Sequence, residues 1–345
     1  MPTPSAPVVL LTCGDPAGIG PEVVIRAWTA TPCHARARLR IVADPAMLTA
    51  ALAGRRGMPA SAVTVVDVDD PRPSTGGELL VVSAAPAATG PVPPGVASAE
   101  GGRQAAAAVL HALAVVRGGR AAALVTGPLH KAALHAAGYD VPGHTELLAR
   151  GCGLPDEAAS MMLWLPASSG GGLGVVHATL HQSLRTAVAD LSTSRIEAAG
   201  RRLAGLLPAL LGRPPRIAVA ALNPHGGEDG LFGDEESRVV APAVARLRQA
   251  GLEVTGPLPA DTLFLRASRG GFDGVVALYH DQGHIPVKLL GMHRAVNITL
   301  GLPLVRTSVA HGTAFDIVGR AAADPASMEA AIDAAVRLVA AGWRG

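Results

Sequence analysis

Three histidines stand where a metal ion could be held. His181, His225 and His280 lie in His177-Ala-Thr-Leu-His181, Leu222-Asn-Pro-His-Gly-Gly-Glu228 and Tyr279-His-Asp-Gln-Gly283, each just past an apolar run that reads as a strand. Imidazole is the commonest borderline metal ligand, and a three-histidine site leaves coordination positions open for a substrate. A divalent ion in such a site lowers the pKa of a bound hydroxyl and stabilises the alkoxide. Hydrogen-bonded structural histidines are the alternative that spacing alone leaves standing. His34, His111 and His293 read as surface or core residues.

A second set could hold an anion. Lys288, Asn297 and Arg306, with His144 and Thr145, combine charge with directed hydrogen bonds suited to phosphate or carboxylate. Solvated surface charge and a strand cap are the plainer reading. The chain uses Arg, Ala, Gly and Pro heavily and keeps only two lysines, Lys131 and Lys288, and two asparagines, Asn223 and Asn297. Arg cannot replace a compact cation of adjustable pKa, so surviving lysines point to positions where the chemistry requires one. Lys131 could equally cap the end of a short helix. A third set, His311-Gly312-Thr313-Ala314-Phe-Asp316, is a small-residue turn that lets a nucleotide approach the backbone, with Asp316 available to a ribose or adenine. Cys13 reads as a buried small apolar residue and Asp15 as a helix N-cap before Pro16.

Other chemistries lack their motifs. Neither lysine sits in GxxxxGK[ST], and Gly14-Asp-Pro-Ala-Gly-Ile-Gly20 opens a helix after a strand without matching GxGxxG. HExxH and GxSxG are absent. Three cysteines with no CxxC pair give neither a disulfide framework nor a structural zinc site. A net charge of +2 with no basic block and 3% aromatic residues excludes nucleic acid as the expected partner. No apolar run reaches the roughly 20 residues of a membrane span. Met1 to Pro7 has no basic or apolar signal region, so the expectation is a cytoplasmic protein.

The elements that must position these residues alternate. β-rich runs and Ala-rich helical patterns succeed one another through 345 residues, long enough for two domains, which predicts parallel strands with crossover helices. Strands are predicted at Val8 to Thr12, Leu39 to Ala43, Val63 to Val66, Ala121 to Thr126, Met161 to Leu165, Leu173 to Thr179, Arg216 to Leu222, Gly274 to Leu278 and Val296 to Leu300. Helices are predicted over Pro21 to Trp28 and Glu100 to Val116, from Gly127-Pro128 to Gly138, after the capping-box spacing Ser194-Arg-Ile-Glu197, and from Asp324-Pro325 to about Ala341. Ala84 to Ala97 reads as a surface loop.

Together these segments resemble the 4-hydroxythreonine-4-phosphate dehydrogenase family of vitamin B6 biosynthesis. The resemblance runs nearly the whole chain, through Gly14-Asp-Pro-Ala-Gly-Ile-Gly-Pro-Glu22, Thr126-Gly-Pro-Leu-His-Lys131, Gly143-His-Thr-Glu146, Leu222-Asn-Pro-His225, Gly256-Pro-Leu-Pro-Ala-Asp-Thr-Leu-Phe264, Tyr279-His-Asp-Gln-Gly283, Val296-Asn-Ile-Thr-Leu-Gly-Leu-Pro303 and Arg306-Thr-Ser308. It implies an isocitrate/isopropylmalate dehydrogenase-like fold of two α/β/α domains flanking a central cleft, divided as 1–140 plus 305–345 and 141–304. It also implies a homodimer whose divalent metal (Zn, Mg, Mn or Co) is held by His181, His225 and His280, with the third ligand supplied across the interface. Substrate contacts fall on His144, Thr145, Lys288, Asn297 and Arg306, and NAD or NADP on the turn from His311 through Gly312, Thr313 and Ala314 to Asp316.

The implied reaction oxidises 4-phospho-hydroxy-L-threonine to a β-keto acid that decarboxylates to 3-amino-2-oxopropyl phosphate. Lys131, Asp261 and a metal-bound hydroxide are the candidate bases. Ala310 before His-Gly-Thr, His284 after Tyr-His-Asp-Gln-Gly, and Leu-Leu-Gly after Lys288 look more like the D-threonate 4-phosphate dehydrogenase branch of sugar-acid catabolism. A further branch oxidises cis-dihydrodiol carboxylates, and the intact phosphate-type motifs argue against it.

Overall fold

The structure is a computed structural model describing residues 6–54, 62–84, 89–167 and 171–345. Residues 1–5 of the N-terminal segment and 85–88 of the Ala84 to Ala97 loop lie outside the described residues. The chain divides into two compact units, Met1–Ser160 with Gly301–Gly345, and Met161–Leu300. The boundary falls later than the sequence division at 140, so the segment bearing His144 and Thr145 belongs to the first unit.

Unit 1 contains β1 (Val8–Thr12), α1 (Gly20–Ala30), β2 (Arg38–Ala43), α2 (Pro45–Gly54), β3 (Ala62–Val65), β4 (Glu78–Ser83), α3 (Ala99–Arg117), β5 (Ala123–Thr126), α4 (Lys131–Ala136) and α5 (His144–Gly151). Unit 2 follows with β6 (Ser160–Pro166), β7 (Gly172–His177), α6 (Leu184–Ala189), α7 (Thr193–Leu211), β8 (Ile217–Ala220), α8 (Ala241–Gln249), β9 (Val254–Leu258), α9 (Ala260–Ser268), β10 (Gly274–Ala277), α10 (His280–Gly291) and β11 (Val296–Leu300). The chain then returns to unit 1 with β12 (Val305–Val309) and α11 (Ala326–Ala340).

In unit 1 the strand order is β3-β4-β2-β1-β5-β12, and every pairing is parallel. β1, β5 and β12 are buried along their whole length; β1 and β5 read accordingly as near-continuous apolar runs rather than alternating patterns, whereas β12 carries Arg306, Thr307 and Ser308. From β1 the chain winds outward through β2 and β4, then crosses to β5 and β12 on the other side. The carboxyl ends of β1 and β5 therefore form a topological switch point, where open α/β sheets bind ligands. The loops there interlock: Asp15 N–H donates to the Pro128 carbonyl at 2.9 Å, and Gly127 N–H to the Thr12 carbonyl at 2.7 Å. A Cβ on Gly14 would stand 2.1 Å from the Pro128 carbonyl oxygen, so only glycine lets these backbones approach.

Unit 2 orders its strands β11-β6-β7-β10-β8-β9, with β6 and β7 antiparallel and β7-β10-β8-β9 parallel. The 19-residue α7 buries Ile196, Leu203, Leu206, Leu207 and Leu210, a helical-period stripe against the sheet. The expected capping box is corrected. Ser192, two residues earlier, caps α7 by accepting from Arg195 N–H at 3.3 Å, and Glu197 instead pairs with Arg201 at 2.8 Å. Among the described residues no helix is long and apolar enough to cross a membrane.

Candidate active site

Arg306 lies in β12 between residues of the buried sheet and is only 3% exposed. Its Nη2 donates to Thr126 Oγ1 of β5 at 2.7 Å. Burial drives its pKa down to about 10, partly offset by Glu146. A guanidinium desolvated this far is expensive unless an anion meets it. His144 is the first residue of α5, and burial with the neighbouring Arg306 holds its pKa well below the usual imidazole range. It is therefore neutral at pH 7, and its Nε2 has no hydrogen-bond partner. Thr145 follows in the first turn, where Gly143 offers no side-chain cap, so the N–H groups of α5 remain available to an anion.

The small-residue turn is held by the first loop of the chain. The Thr313 carbonyl accepts from Ile19 N–H at 2.9 Å, and Ala314 adopts a left-handed φ of 44°. His311 Nδ1 lies 2.9 Å from the Gly312 carbonyl, and its buried Nε2 has no partner. A Cβ on Gly312 would meet nothing within 4 Å, so the turn is open there, and Asp316 is exposed. Phe315 stacks on His130 at 4.7 Å with ring planes 12° apart, and Glu22 of α1 accepts from Gly319 N–H at 2.8 Å.

Two expectations in this unit are corrected. Asp15 is not the N-cap of α1, which begins at Gly20 after Ile19. It is fully buried, its Oδ1 accepts from Ala17 N–H at 2.9 Å, and its Oδ2 has no partner. Burial pushes its pKa up against the lowering effects of Ala17 N–H and His130. Lys131 does not cap the end of its helix; it is the exposed first residue of α4, at the positive end of the helix dipole, where a cation gains nothing from the helix. Cys13 is buried, as expected.

In unit 2 four histidines gather at the carboxyl ends of β7 and β10. His177 ends β7, His181 follows it, and His280 opens α10. The His181 and His280 rings lie 5.8 Å apart. His280 Nδ1 sits 2.6 Å from Asp281 Oδ1, which leaves Nε2 as the nitrogen to offer a metal. His284, one turn on, stacks on His280 with centroids 3.8 Å and planes 8° apart. Burial lowers the pKa of His177 to about 3 and of His284 to about 4. Lys288, one further turn along, is exposed, and Asn297 in β11 is half-buried.

His225 stands apart from that pair. After β8, residues 225–229 run through five consecutive positive φ values, three of them at His225 (54°), Glu228 (42°) and Asp229 (54°) where glycine is absent. Its side chain is 66% exposed, with the Phe232 ring 6.4 Å away. Glu236 anchors the start of this segment: its buried carboxylate accepts from Leu222 N–H (2.8 Å), Asn223 N–H (2.7 Å) and Asn223 Nδ2 (2.9 Å). These bonds hold its pKa below the usual carboxylate value although burial opposes them. Asp261 is exposed in the first turn of α9.

Among the described residues no group of three His, Cys, Asp or Glu side chains is arranged to hold a metal ion. The imidazole pair His181 and His280 suits a borderline divalent ion, and completing the set needs a ligand from elsewhere. Glu236, His284 and Thr126 were outside the sequence-derived site. His284 was visible only as a departure from a motif, and the other two carried no spacing signal.

The family described as pyridoxal phosphate biosynthetic protein PdxA matches residues 35–335. A D-threonate 4-phosphate dehydrogenase of Bordetella bronchiseptica is 44% identical over 344 residues, covering 99% of this chain and 95% of the relative. A 4-hydroxythreonine-4-phosphate dehydrogenase of Beijerinckia indica subsp. indica is 43% identical, covering 95% and 94%. The crystal structure of 4-hydroxythreonine-4-phosphate dehydrogenase from Klebsiella pneumoniae superposes with a TM-score of 0.82 at 41% identity, covering 96% of this chain and 98% of that one. In fold alone the likeness extends to a β-decarboxylating dehydrogenase of Thermococcus kodakarensis, with a TM-score of 0.51 at 14% identity over 98% of this chain and 84% of that one.

Proposed function

Because the chain belongs to the PdxA family and is a dehydrogenase acting on a hydroxyl group of a phosphorylated substrate, we propose that it oxidises 4-phospho-hydroxy-L-threonine to a β-keto acid that loses CO2 to give 3-amino-2-oxopropyl phosphate. The observation that carries the anionic substrate is Arg306, a guanidinium buried beside the neutral His144 and close to the uncapped first turn of α5. A phosphate or carboxylate brought there offsets the cost of burying that cation and accepts N–H groups that have no side-chain cap. Lys288 and Asn297, in unit 2, remain the candidates the resemblance names for further substrate contacts.

His181 and His280 would hold a divalent ion, with His225 completing the set across a homodimer, and the turn His311 to Asp316 would hold NAD or NADP. When bound, these groups supply Lewis acidity toward the substrate hydroxyl and an acceptor for the hydride. Asp281 keeps His280 Nδ1 occupied, so Nε2 is the nitrogen that would meet such an ion. Glu236 carries the loop that presents His225. Lys131 and Asp261, both in exposed first turns, are the candidates to take the hydroxyl proton. A dimer through unit 2 is supported by its exposed apolar side chains, among them Leu184, Leu231, Phe232, Ile285, Leu289 (82% exposed) and Met292.

The second reading is oxidation of D-threonate 4-phosphate to a β-keto acid that decarboxylates to dihydroxyacetone phosphate. His284 and the likeness to the Bordetella bronchiseptica enzyme favour it. The test is NADH or NADPH production with Mg2+, Mn2+ or Zn2+ supplied and the two substrates at equal concentration. A higher kcat/KM for the amino compound supports the first reading. The reverse supports the second, and silence with both overturns the two together.

A further inference from the structure

We infer that His284 is a positioning residue for His280, fixing the ring that would meet a divalent ion without itself being a ligand; this rests on the metal reading proposed above. His280, His284 and Lys288 recur every four residues along α10 and so share a face. The His284 imidazole lies flat against that of His280, at 3.8 Å and 8°. It is pinned from the other side as well, because its Nδ1 is 3.2 Å from the His280 carbonyl oxygen and 3.2 Å from His177 Nε2. Either His284 Nδ1–H donates and His177 Nε2 accepts or the reverse, and in both cases a single N–H joins the two rings beside the His280 carbonyl.

One N–H thus ties the first turn of α10 to the end of β7, and the His280 ring is confined between this fixed plane and the Asp281 carboxylate, 2.6 Å from its Nδ1. Gly283 makes the arrangement possible. A Cβ there would stand 2.4 Å from His177 Nε2 and 2.9 Å from Val175 Cγ1, so any larger residue would lift α10 away from β7. The tie does not require His284 to reach the ion. It removes freedom that His280 would otherwise lose on binding, as partners behind metal-bound imidazoles do.

Co2+ binding tests this directly, followed by visible absorption and by titration calorimetry on the full-length protein, with no substrate or turnover involved. Replacing His284→Leu removes both the flat ring and the hydrogen bond and is expected to weaken Co2+ about 10-fold to 100-fold and to alter the d–d band. His284→Asn, whose amide N–H falls near the place of Nδ1, is expected to recover part of that loss and serves as the readout if the leucine variant does not fold. Wild-type affinity and an unchanged spectrum in His284→Leu, or no loss in His284→Asn where the leucine variant is unfolded, overturn the inference while leaving the metal reading intact. A wild-type protein that binds no Co2+ overturns both.

Discussion

Glu236→Gln is the substitution that asks most of the site as described. The change keeps size and shape but turns one carboxylate oxygen into a donor. Two bonds to Oε1, from Leu222 N–H at 2.8 Å and Asn223 N–H at 2.7 Å, survive as neutral bonds. A charged acceptor is worth about 1 kcal/mol more per bond than a neutral one, so those two lose about 2 kcal/mol. The third, Asn223 Nδ2 to Oε2 at 2.9 Å, becomes donor against donor and loses about 2 kcal/mol more. A buried amide costs less to desolvate than a buried carboxylate, which returns part of this, leaving a net loss of about 2–3 kcal/mol. The loss falls on a segment already carrying three non-glycine residues in left-handed geometry, at about 1–2 kcal/mol each. Urea unfolding followed by circular dichroism should therefore show an earlier midpoint at unchanged slope, and metal-dependent turnover should fall as His225 is released. A midpoint within about 0.5 kcal/mol of wild type, with turnover retained, would refute the argument that this carboxylate holds the loop.

Three further expectations follow from charges in the folded chain. Arg306→Lys should lower kcat/KM about 100-fold, chiefly through KM, because a point charge does not reproduce the planar donor set; an unchanged KM for a phosphorylated substrate would remove Arg306 from the anion site. The raised pKa of Asp15 means its ionised form costs stability at neutral pH, so Asp15→Asn should raise the melting temperature at pH 7 by an amount that shrinks as pH falls toward the ordinary carboxylate range and is gone below about pH 4; a lower melting temperature at pH 7 would contradict this. Asp273, drawn down to about 2 by Arg213 and Arg216, contributes stability above its ordinary pKa that is lost as pH falls toward 2. Asp273→Asn should accordingly flatten the acid limb of the stability curve, and an acid limb identical to wild type would show that this ion pair does not govern it.

Much of the fold was legible because buried parallel strands are written as apolar runs. Val8–Thr12 is an example whose ends coincide with the sequence expectation. β4, β9 and β12 were not anticipated. β9 contains Gly256-Pro257, residues that ordinarily end a strand, and β12 places a charged Arg306 inside a fully buried one. Its burial depends on β5 alongside it, which no local pattern announces. The candidate site was legible as a list of residues and not as an arrangement. Spacing put His181 and His280 at strand ends, but it could not show that His284 lies flat on His280 or that a carboxylate eleven residues after His225 secures its loop. Those relations depend on where helices land after the sheet is built.

The discontinuity of unit 1 bears on the order in which the protein can be made. Unit 2 is one continuous stretch, Met161–Leu300, and all of it leaves the ribosome before β12 does. Until then β5 has β1 on one side and an open edge on the other, and the place of Arg306 beside Thr126 is vacant. The contiguous unit 2 can thus complete its own chain during synthesis, whereas unit 1 must wait for residues 301–345. A nascent chain stalled at residue 300 would carry the whole of Met161–Leu300 and still lack β12, and with it the partner that Thr126 Oγ1 has in Arg306.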